Sequence, residues 1–228
     1  MTVSPSLLDG LFATPEAAAA FHDQVRLQGM LDFEAALARA QARRGIIPAA
    51  AAPVIGAKCV AELFDVPQLA QATRLAGNPA IPLVKRLTAL VAQADPEAAR
   101  FVHWGATRQD AMDTGLVLQL QAFLDRVEAD LARLADALAR LADDHRRTAM
   151  VGRTWLQHAL PITFGLKAAG WLDAVTRHRR RLAELRPRLL VVQLGGAAGT
   201  LATQGEPGHD LTRAQAQEQD KGQTPQPR

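Results

Sequence analysis

A regular spacing of aliphatic side chains between positions 117 and 141 constrains the fold of this chain more than any other feature. Successive members are separated by 3, 4, 3, 4, 3, 4 and 3 residues, which is a heptad repeat. The members are Val117, Leu120, Leu124, Val127, Leu131, Leu134, Leu138 and Leu141. A helix over residues 112–146 would be about 50 Å long at about 1.5 Å per residue. Because such a helix needs partners along its length, the repeat predicts a bundle of long helices.

The composition also favours helices. Among the 228 residues, Ala occurs 45 times, Ile five times and Tyr not at all. Alanine is the strongest helix former, whereas strands favour β-branched and aromatic residues. The sequence therefore predicts an all-α fold and excludes an all-β sandwich or barrel.

Capping signals and prolines predict the ends of two further long helices. Thr14 and Pro15 suit the N-cap and the first turn of a helix that runs to Arg44. A second long helix is predicted to start at Pro161 and to end or kink at Pro187. Shorter helices are predicted between the first of these and the heptad segment.

Changes in composition divide the chain into three parts. Residues 1–111 are predicted to form an N-terminal helical domain, and residues 112–203 the first long helices of a bundle. From 204 to 228, Gln, Gly and Pro replace apolar residues, and Leu211 is the single large apolar side chain. Such a segment buries too little surface to fold alone, so a disordered polar tail is predicted.

Charge and cysteine content exclude several functional classes. The net charge of +3 is too small to indicate nucleic-acid binding. No apolar run reaches the roughly 18 residues of a membrane helix, and the first residues lack a secretory signal. Cys59 is the single cysteine, which is typical of a cytoplasmic protein. Neither metal-ligand spacing nor a phosphate-binding glycine loop occurs, so no metal site is expected.

Two polar clusters interrupt the Ala- and Leu-rich background. The first spans residues 103–110 and the second residues 152–161, each beside a predicted long helix. Both contain glycine, threonine, glutamine, arginine and histidine. Threonine and glutamine donate hydrogen bonds, arginine pairs with carboxylates, and histidine transfers protons. The clusters therefore indicate a site for a small substrate with several negative charges.

The same residues also allow purely structural roles. Thr107 and Asp110 can cap the long helix that follows them. His103 and His158 can be hydrogen-bonded structural histidines, and Trp155 can belong to the core. Both interpretations stay open at the level of the sequence.

Both clusters match motifs of one enzyme family. Residues 103–110 resemble the first signature of the fumarase/aspartase superfamily, and residues 152–161 resemble the second. Most members have histidine where this chain has Trp155, while the cycloisomerases that act on 3-carboxy-cis,cis-muconate have tryptophan. The chain therefore most resembles that cycloisomerase family. Supporting stretches are residues 33–40 and 77–85.

The resemblance implies a reaction without a cofactor. One carboxylate of 3-carboxy-cis,cis-muconate adds to a carbon–carbon double bond, giving 4-carboxymuconolactone in the protocatechuate branch of the β-ketoadipate pathway. It implies catalytic roles for His103, His158 and Thr154. The residues implied to bind the tricarboxylate substrate are Asn78, Thr107, Arg108, Gln109, Arg153, Trp155 and Gln157. It also implies a homotetramer, in which long helices form a central bundle and each active site draws on three subunits.

The sequence departs from the family pattern at two places. Arg108 replaces the usual serine, which exchanges a hydroxyl donor for a long cation. After Gly199 the chain lacks the superfamily's third signature, a Gly-Ser-Ser loop followed by Met-Pro, Lys and Asn-Pro. The resemblance, which extends over residues 5–203, therefore predicts a C-terminally truncated enzyme with an incomplete active site. A shifted reading frame or an early stop would explain the tail after Gln204.

Two alternatives remain from the sequence. Another lyase of the superfamily would act on adenylosuccinate or argininosuccinate, but those enzymes have histidine at the position of Trp155. A helical assembly module without catalysis would need the heptad segment alone.

Overall fold

The chain folds into a series of helices with one β-hairpin. The computed structural model describes residues 9–205, 210–211 and 214–215. The helices are α1 (Asp9–Phe12), α2 (Pro15–Ala20), α3 (Asp23–Arg43), α4 (Ala51–Gly56), α5 (Val66–Ala76), α6 (Ala80–Ala92), α7 (Pro96–Ala99), α8 (Arg108–Asp144) and α9 (Phe164–Leu189). Short 3₁₀ turns lie at Ala61–Leu63 and Ala202–Gln204, and the strands are β1 (Ala149–Thr154) and β2 (Gln157–Thr163). The predicted helical fold is confirmed, and the small two-stranded sheet is an addition that was not predicted.

Contacts divide the chain into two compact units. Unit 1 contains the residues up to Gln121 and those from Leu190 onward, and unit 2 contains Ala122–Leu189. Helix α8 contributes its first part to unit 1 and the remainder to unit 2. The sequence predicted an N-terminal helical domain over residues 1–111 and part of a helix bundle over residues 112–203. This division stays a prediction.

The first predicted helix is two helices. Thr14 caps α2 as predicted, since its hydroxyl accepts a 3.2 Å hydrogen bond from the Ala17 amide. A single helix from 15 to 44 was wrong because the backbone of His22 is extended and its ring nitrogen Nδ1 caps α3. Gly45, in the left-handed region, follows the end of α3.

Helix α3 forms the centre of unit 1. Its buried side chains contribute to two apolar clusters, one with α4 and α6 and one with the start of α8. A Cβ atom on Gly29 would lie 2.7 Å from the carbonyl oxygen of Gly115, so both positions need glycine where α3 and α8 meet. The largest fully buried apolar side chains include Leu31, Phe33, Leu37, Ile55, Leu83 and Leu87.

The predicted long heptad helix is present as α8. It has 37 residues, which is about 55 Å at about 1.5 Å per residue. Within unit 2, ion pairs join it to α9, with 2.8 Å between Glu128 and Arg179 and 2.5 Å between Asp125 and Arg186. The heptad face is covered unevenly, because Leu138 is buried while Leu134 is 46% exposed.

The second long helix begins later than predicted. A start at Pro161 was wrong because that residue lies in β2, paired with Val151 of β1. Helix α9 begins at Phe164, whose amide donates to the Thr148 carbonyl. A Cβ atom on Gly165 would lie 2.6 Å from the Ala142 carbonyl oxygen, so glycine allows the close contact between α9 and α8.

The segment after α9 belongs to unit 1, with the 3₁₀ turn at Ala202–Gln204 and helical residues at 210–211 and 214–215. Gln204 is buried there, and so are Leu211, Ala214 and Gln215 where the predicted tail is described. Leu211 and Ala214 pack in the cluster that contains Phe33 of α3. The rest of the predicted tail lies outside the described residues. No helix in the described part of the chain has the length and apolarity of a membrane span.

Candidate active site

A hydrogen-bonded pair of titratable side chains with little exposure to solvent lies at the centre of the first polar cluster. The Nδ1 atom of His103 is 2.6 Å from Oε1 of Glu34 on α3. The side chain of His103 is 14% exposed and that of Glu34 is 1% exposed. Glu34 was not among the predicted site residues. The signal was available, because an ionised group at a buried position of an apolar helix face needs a charged partner.

The surroundings of His103 favour its positive charge. Burial by itself would lower the pKa of the imidazole, but the Glu34 carboxylate raises it through its charge and its hydrogen bond. Asp110 adds to this effect and Arg108 opposes it. The pKa of His103 is therefore raised above the ordinary value of 6.5.

Asp110 fixes the backbone around the cluster. Its carboxylate accepts hydrogen bonds from the amides of Thr107 (2.9 Å), Gly195 (3.0 Å) and Gly196 (3.0 Å). The Thr107 contact is one half of a capping box at the start of α8. The capping role that the sequence allowed for Asp110 is therefore confirmed, and its bonds to the glycines were not predicted.

A second set of hydrogen bonds holds the residues that follow His103. The side-chain amides of Gln41 and Gln204 both donate to the Trp104 carbonyl, at 2.7 and 2.9 Å. Gln41 also donates to Gln204 at 2.9 Å. Gly105 has a φ of +67°, and a Cβ atom there would collide with the Gln204 amide. The His103 loop therefore has a fixed backbone conformation.

The other predicted residues of unit 1 differ in exposure. Asn78 is partly buried, and its side-chain oxygen accepts a 3.1 Å bond from the Ile81 amide at the start of α6. Thr107 is partly buried at the N-cap of α8. Arg108 and Gln109 are exposed, and Gln109 donates to Asp113 at 2.6 Å. Some of the polar groups of these four residues therefore already form hydrogen bonds within the fold, and others are exposed to solvent.

The second polar cluster forms the hairpin of unit 2. Arg153 pairs with His158 and Thr154 with Gln157, which leaves a two-residue turn between them. All four side chains are exposed. The histidine at 158 is therefore not a buried structural residue, and the two predicted clusters belong to different units.

The turn of this hairpin consists of Trp155 and Leu156. Their φ angles of 47° and 60° lie in the left-handed region, which is the conformation of a type I′ turn. Asparagine and glycine favour that turn, so a tryptophan and a leucine there are strained. Trp155 is 92% exposed and Leu156 fully exposed, so the core role that the sequence allowed for Trp155 was wrong.

Comparison with known proteins identifies the family. A family model described as Lyase matches residues 12–211. The chain belongs to this lyase family. Both polar clusters of the lyase chain lie inside the matched region.

Several relatives of this lyase chain carry a more specific name. It is 57% identical to a 3-carboxy-cis,cis-muconate cycloisomerase of Pseudomonas aeruginosa over 93% of this chain and 46% of the relative. A nitrosuccinate lyase of Streptomyces davaonensis is 47% identical over 88% of this chain and 42% of the relative. The structure of a 3-carboxy-cis,cis-muconate lactonizing enzyme from Pseudomonas putida matches with a TM-score of 0.92 and 56% identity, covering 95% of this chain and 49% of that one. The chain spans about half the length of the curated relatives it matches.

The lyase chain offers donors for anions rather than ligands for metals. The described residues include no group of three or more His, Cys, Asp or Glu side chains that could hold a metal ion. Arginine, threonine, glutamine and a cationic histidine are suited to carboxylates. Donors of this kind bind carboxylates and stabilise negative charge that develops on them.

Proposed function

We propose that the chain forms part of a cycloisomerase that converts 3-carboxy-cis,cis-muconate to 4-carboxymuconolactone. The observation that carries the proposal is the 57% identity to the P. aeruginosa cycloisomerase across both polar clusters. Trp155 adds support, since the resemblance described above places tryptophan there in cycloisomerases and histidine in most other members.

The reaction defines what the site has to supply. A carboxylate oxygen bonds to one carbon of a double bond, and the other carbon gains a proton. The electrons of the double bond move toward the neighbouring carboxylate, which takes up negative charge in the transition state. Donors placed around that carboxylate before the reaction lower the barrier. No atom is lost, so the reaction is an isomerisation.

The proposal divides the polar residues by role. Arg153, Thr154 and Gln157 of the hairpin are donors toward the substrate carboxylates, because their side chains are exposed and free to pair with a ligand. Trp155 shapes the pocket and offers one N–H donor. In unit 1, the proposal assigns His103, Thr107, Arg108, Asn78 and Gln109 to contacts with substrate carboxylates. His158 is the candidate for proton transfer.

Self-association as a homotetramer is part of the same proposal. On α8, Leu116, Leu134 and Leu141 are 44%, 46% and 37% exposed. On α9, Leu166 and Trp171 are 62% and 48% exposed. Apolar side chains exposed along long helices are typical of surfaces that pack against other subunits.

A chimaera tests the proposed activity without depending on the length of this chain. Residues 1–203 replace the matching half of the P. aeruginosa cycloisomerase, and the loss of the diene absorbance of 3-carboxy-cis,cis-muconate is followed. We expect lactone formation, and Thr154→Val in the chimaera should lower kcat by about a hundredfold.

The same preparation discriminates the alternatives. Fumarate release from adenylosuccinate is measured in parallel and should be absent. A folded chimaera that releases fumarate and forms no lactone would contradict the assignment. Sedimentation of the 228-residue chain tests assembly, and a monomer at all concentrations would contradict the homotetramer.

A further inference from the structure

We propose that Glu34 is a positioning residue that holds His103 as an imidazolium, so that His103 binds a substrate carboxylate through Nε2–H and does not act as a base. The inference rests on the proposed function for the identity of the anion. Its structural part, a cationic His103 oriented by Glu34, stands on the geometry of unit 1.

The first step is the direction of the hydrogen bond. Glu34 is an acceptor when ionised, and its Oε1 atom is 2.6 Å from Nδ1 of His103. With Glu34 ionised, the Nδ1–H group keeps its proton and donates the hydrogen bond, and the carboxylate accepts it. This contact leaves Nε2 as the ring nitrogen that Glu34 does not bind.

The second step is the charge of the ring. Glu34 faces the ring from α3, and its Oε2 atom is buried without a hydrogen bond from any described residue. A buried carboxylate with a single hydrogen bond is stable when a full positive charge lies beside it. From α8, Asp110 adds negative potential and the exposed Arg108 opposes it. Two carboxylates against one solvated guanidinium favour the imidazolium.

The third step is the orientation of the ring. The backbone of His103 has a φ of +57°, which a histidine adopts when its surroundings determine it. The Trp104 carbonyl beside it accepts from Gln41 and Gln204, and Asp110 binds the Thr107 amide on the other side. With its backbone and Nδ1 both held, the ring presents Nε2–H in one direction.

This arrangement gives His103 and His158 different chemical roles. An imidazolium that is stabilised in the free protein has no lone pair with which to accept a proton. It is a charged donor, and charged donors form the stronger hydrogen bonds to carboxylates. His158 is exposed on the hairpin and has no such partner among the described residues. Proton transfer therefore belongs to a group other than His103.

The direct test measures the protonation of the two ring nitrogens of His103 in the 228-residue chain. Nitrogen-15 NMR at pH 7, with His103→Gln used to assign the signals, should show two protonated nitrogens for His103. A neutral tautomer at pH 7 would overturn the inference, and this result does not depend on any substrate.

A substitution that keeps the shape tests the role of Glu34. Glu34→Gln retains a carbonyl acceptor for Nδ1 and removes the charge, so the NMR titration midpoint of His103 should move to lower pH. The matched control is Glu97→Gln, the same change at an exposed glutamate that pairs with Arg100. It should leave the midpoint of His103 unchanged. An unchanged midpoint in Glu34→Gln would overturn the inference.

The anion is tested with tricarballylate, a stable compound with three carboxylates. In the full chain, its addition should shift the Nε2–H signal of His103, and Glu34→Gln should weaken the interaction about tenfold. An imidazolium that does not respond to tricarballylate would overturn the anion-binding role. Failure of the proposed function is a separate result, since it would appear as a chimaera without lactone formation while the NMR signature of His103 stays cationic.

Discussion

The carboxylate of Asp110 binds the backbone amide of Gly195 at 3.0 Å, although 85 residues separate the two in the sequence. One side chain thereby connects the start of α8 with the segment that follows α9. The contact is partly buried and charge-assisted, and the next amide, that of Gly196, is bound as well.

Removal of this carboxylate should destabilise the chain strongly. In Asp110→Ala, the amides of Thr107, Gly195 and Gly196 lose their acceptor, and we expect the free energy of unfolding to fall by about 3 kcal/mol. Urea unfolding followed by far-UV circular dichroism measures the change. Asp130→Ala is the control, because Asp130 forms an exposed pair with Arg133 on α8 and should change stability by no more than about 0.5 kcal/mol. Equal effects of the two substitutions would contradict the role of Asp110.

Two glycines with similar backbone angles predict how much the His103 loop depends on packing. Gly105 and Gly77 have φ angles of +67° and +78°, but an added Cβ meets the Gln204 amide at Gly105 and nothing within 4 Å at Gly77. Gly77→Ala should cost about 1 kcal/mol from backbone strain. Gly105→Ala should cost about 3 kcal/mol, because Gln204 must also move away from the Trp104 carbonyl. Thermal and urea unfolding give both values, and similar losses at the two positions would disprove the crowding.

The contact between His103 and Glu34 predicts a pH dependence of stability. The pKa of His103 is raised in the folded chain, so its contribution is complete below the ordinary value of 6.5 and is lost as the pH rises through the higher folded value. The free energy of unfolding of the natural chain should therefore fall relative to His103→Gln across that interval. Urea titrations at a series of pH values measure the difference, and a difference that does not change with pH would contradict the assignment.

The strained hairpin turn predicts opposite effects on stability and activity. Replacing Trp155 and Leu156 together by Asn and Gly supplies the residues that a type I′ turn favours, and should stabilise the isolated chain by about 1 kcal/mol. Both natural side chains are exposed, so no core contact is lost. In the chimaera the same change should abolish lactone formation, because Trp155 is proposed to shape the pocket. Full activity with the Asn-Gly turn would contradict that role.

Local patterns in the sequence predicted the elements that repeat regularly. The heptad between Val117 and Leu141 predicted α8, because a helix needs only its own residues to set its period. The N-cap at Thr14 was also predicted correctly, because its hydroxyl binds an amide only three residues away. The break at His22 was missed, since a histidine that caps a helix has no strong local signature. The hairpin was missed because its strands are held by pairing between β1 and β2 rather than by alternation of polar and apolar residues.

The sequence by itself determined the helical fold class, the long helix and the two motifs that indicate the lyase family. Only the tertiary structure revealed that Glu34 meets His103, 69 residues away, and that Asp110 binds the loop after α9. Periodicity and motifs are local properties, whereas a buried charge acquires its partner only when distant segments pack together. The charge of His103, and with it the role proposed for that residue, therefore depends on the folded chain.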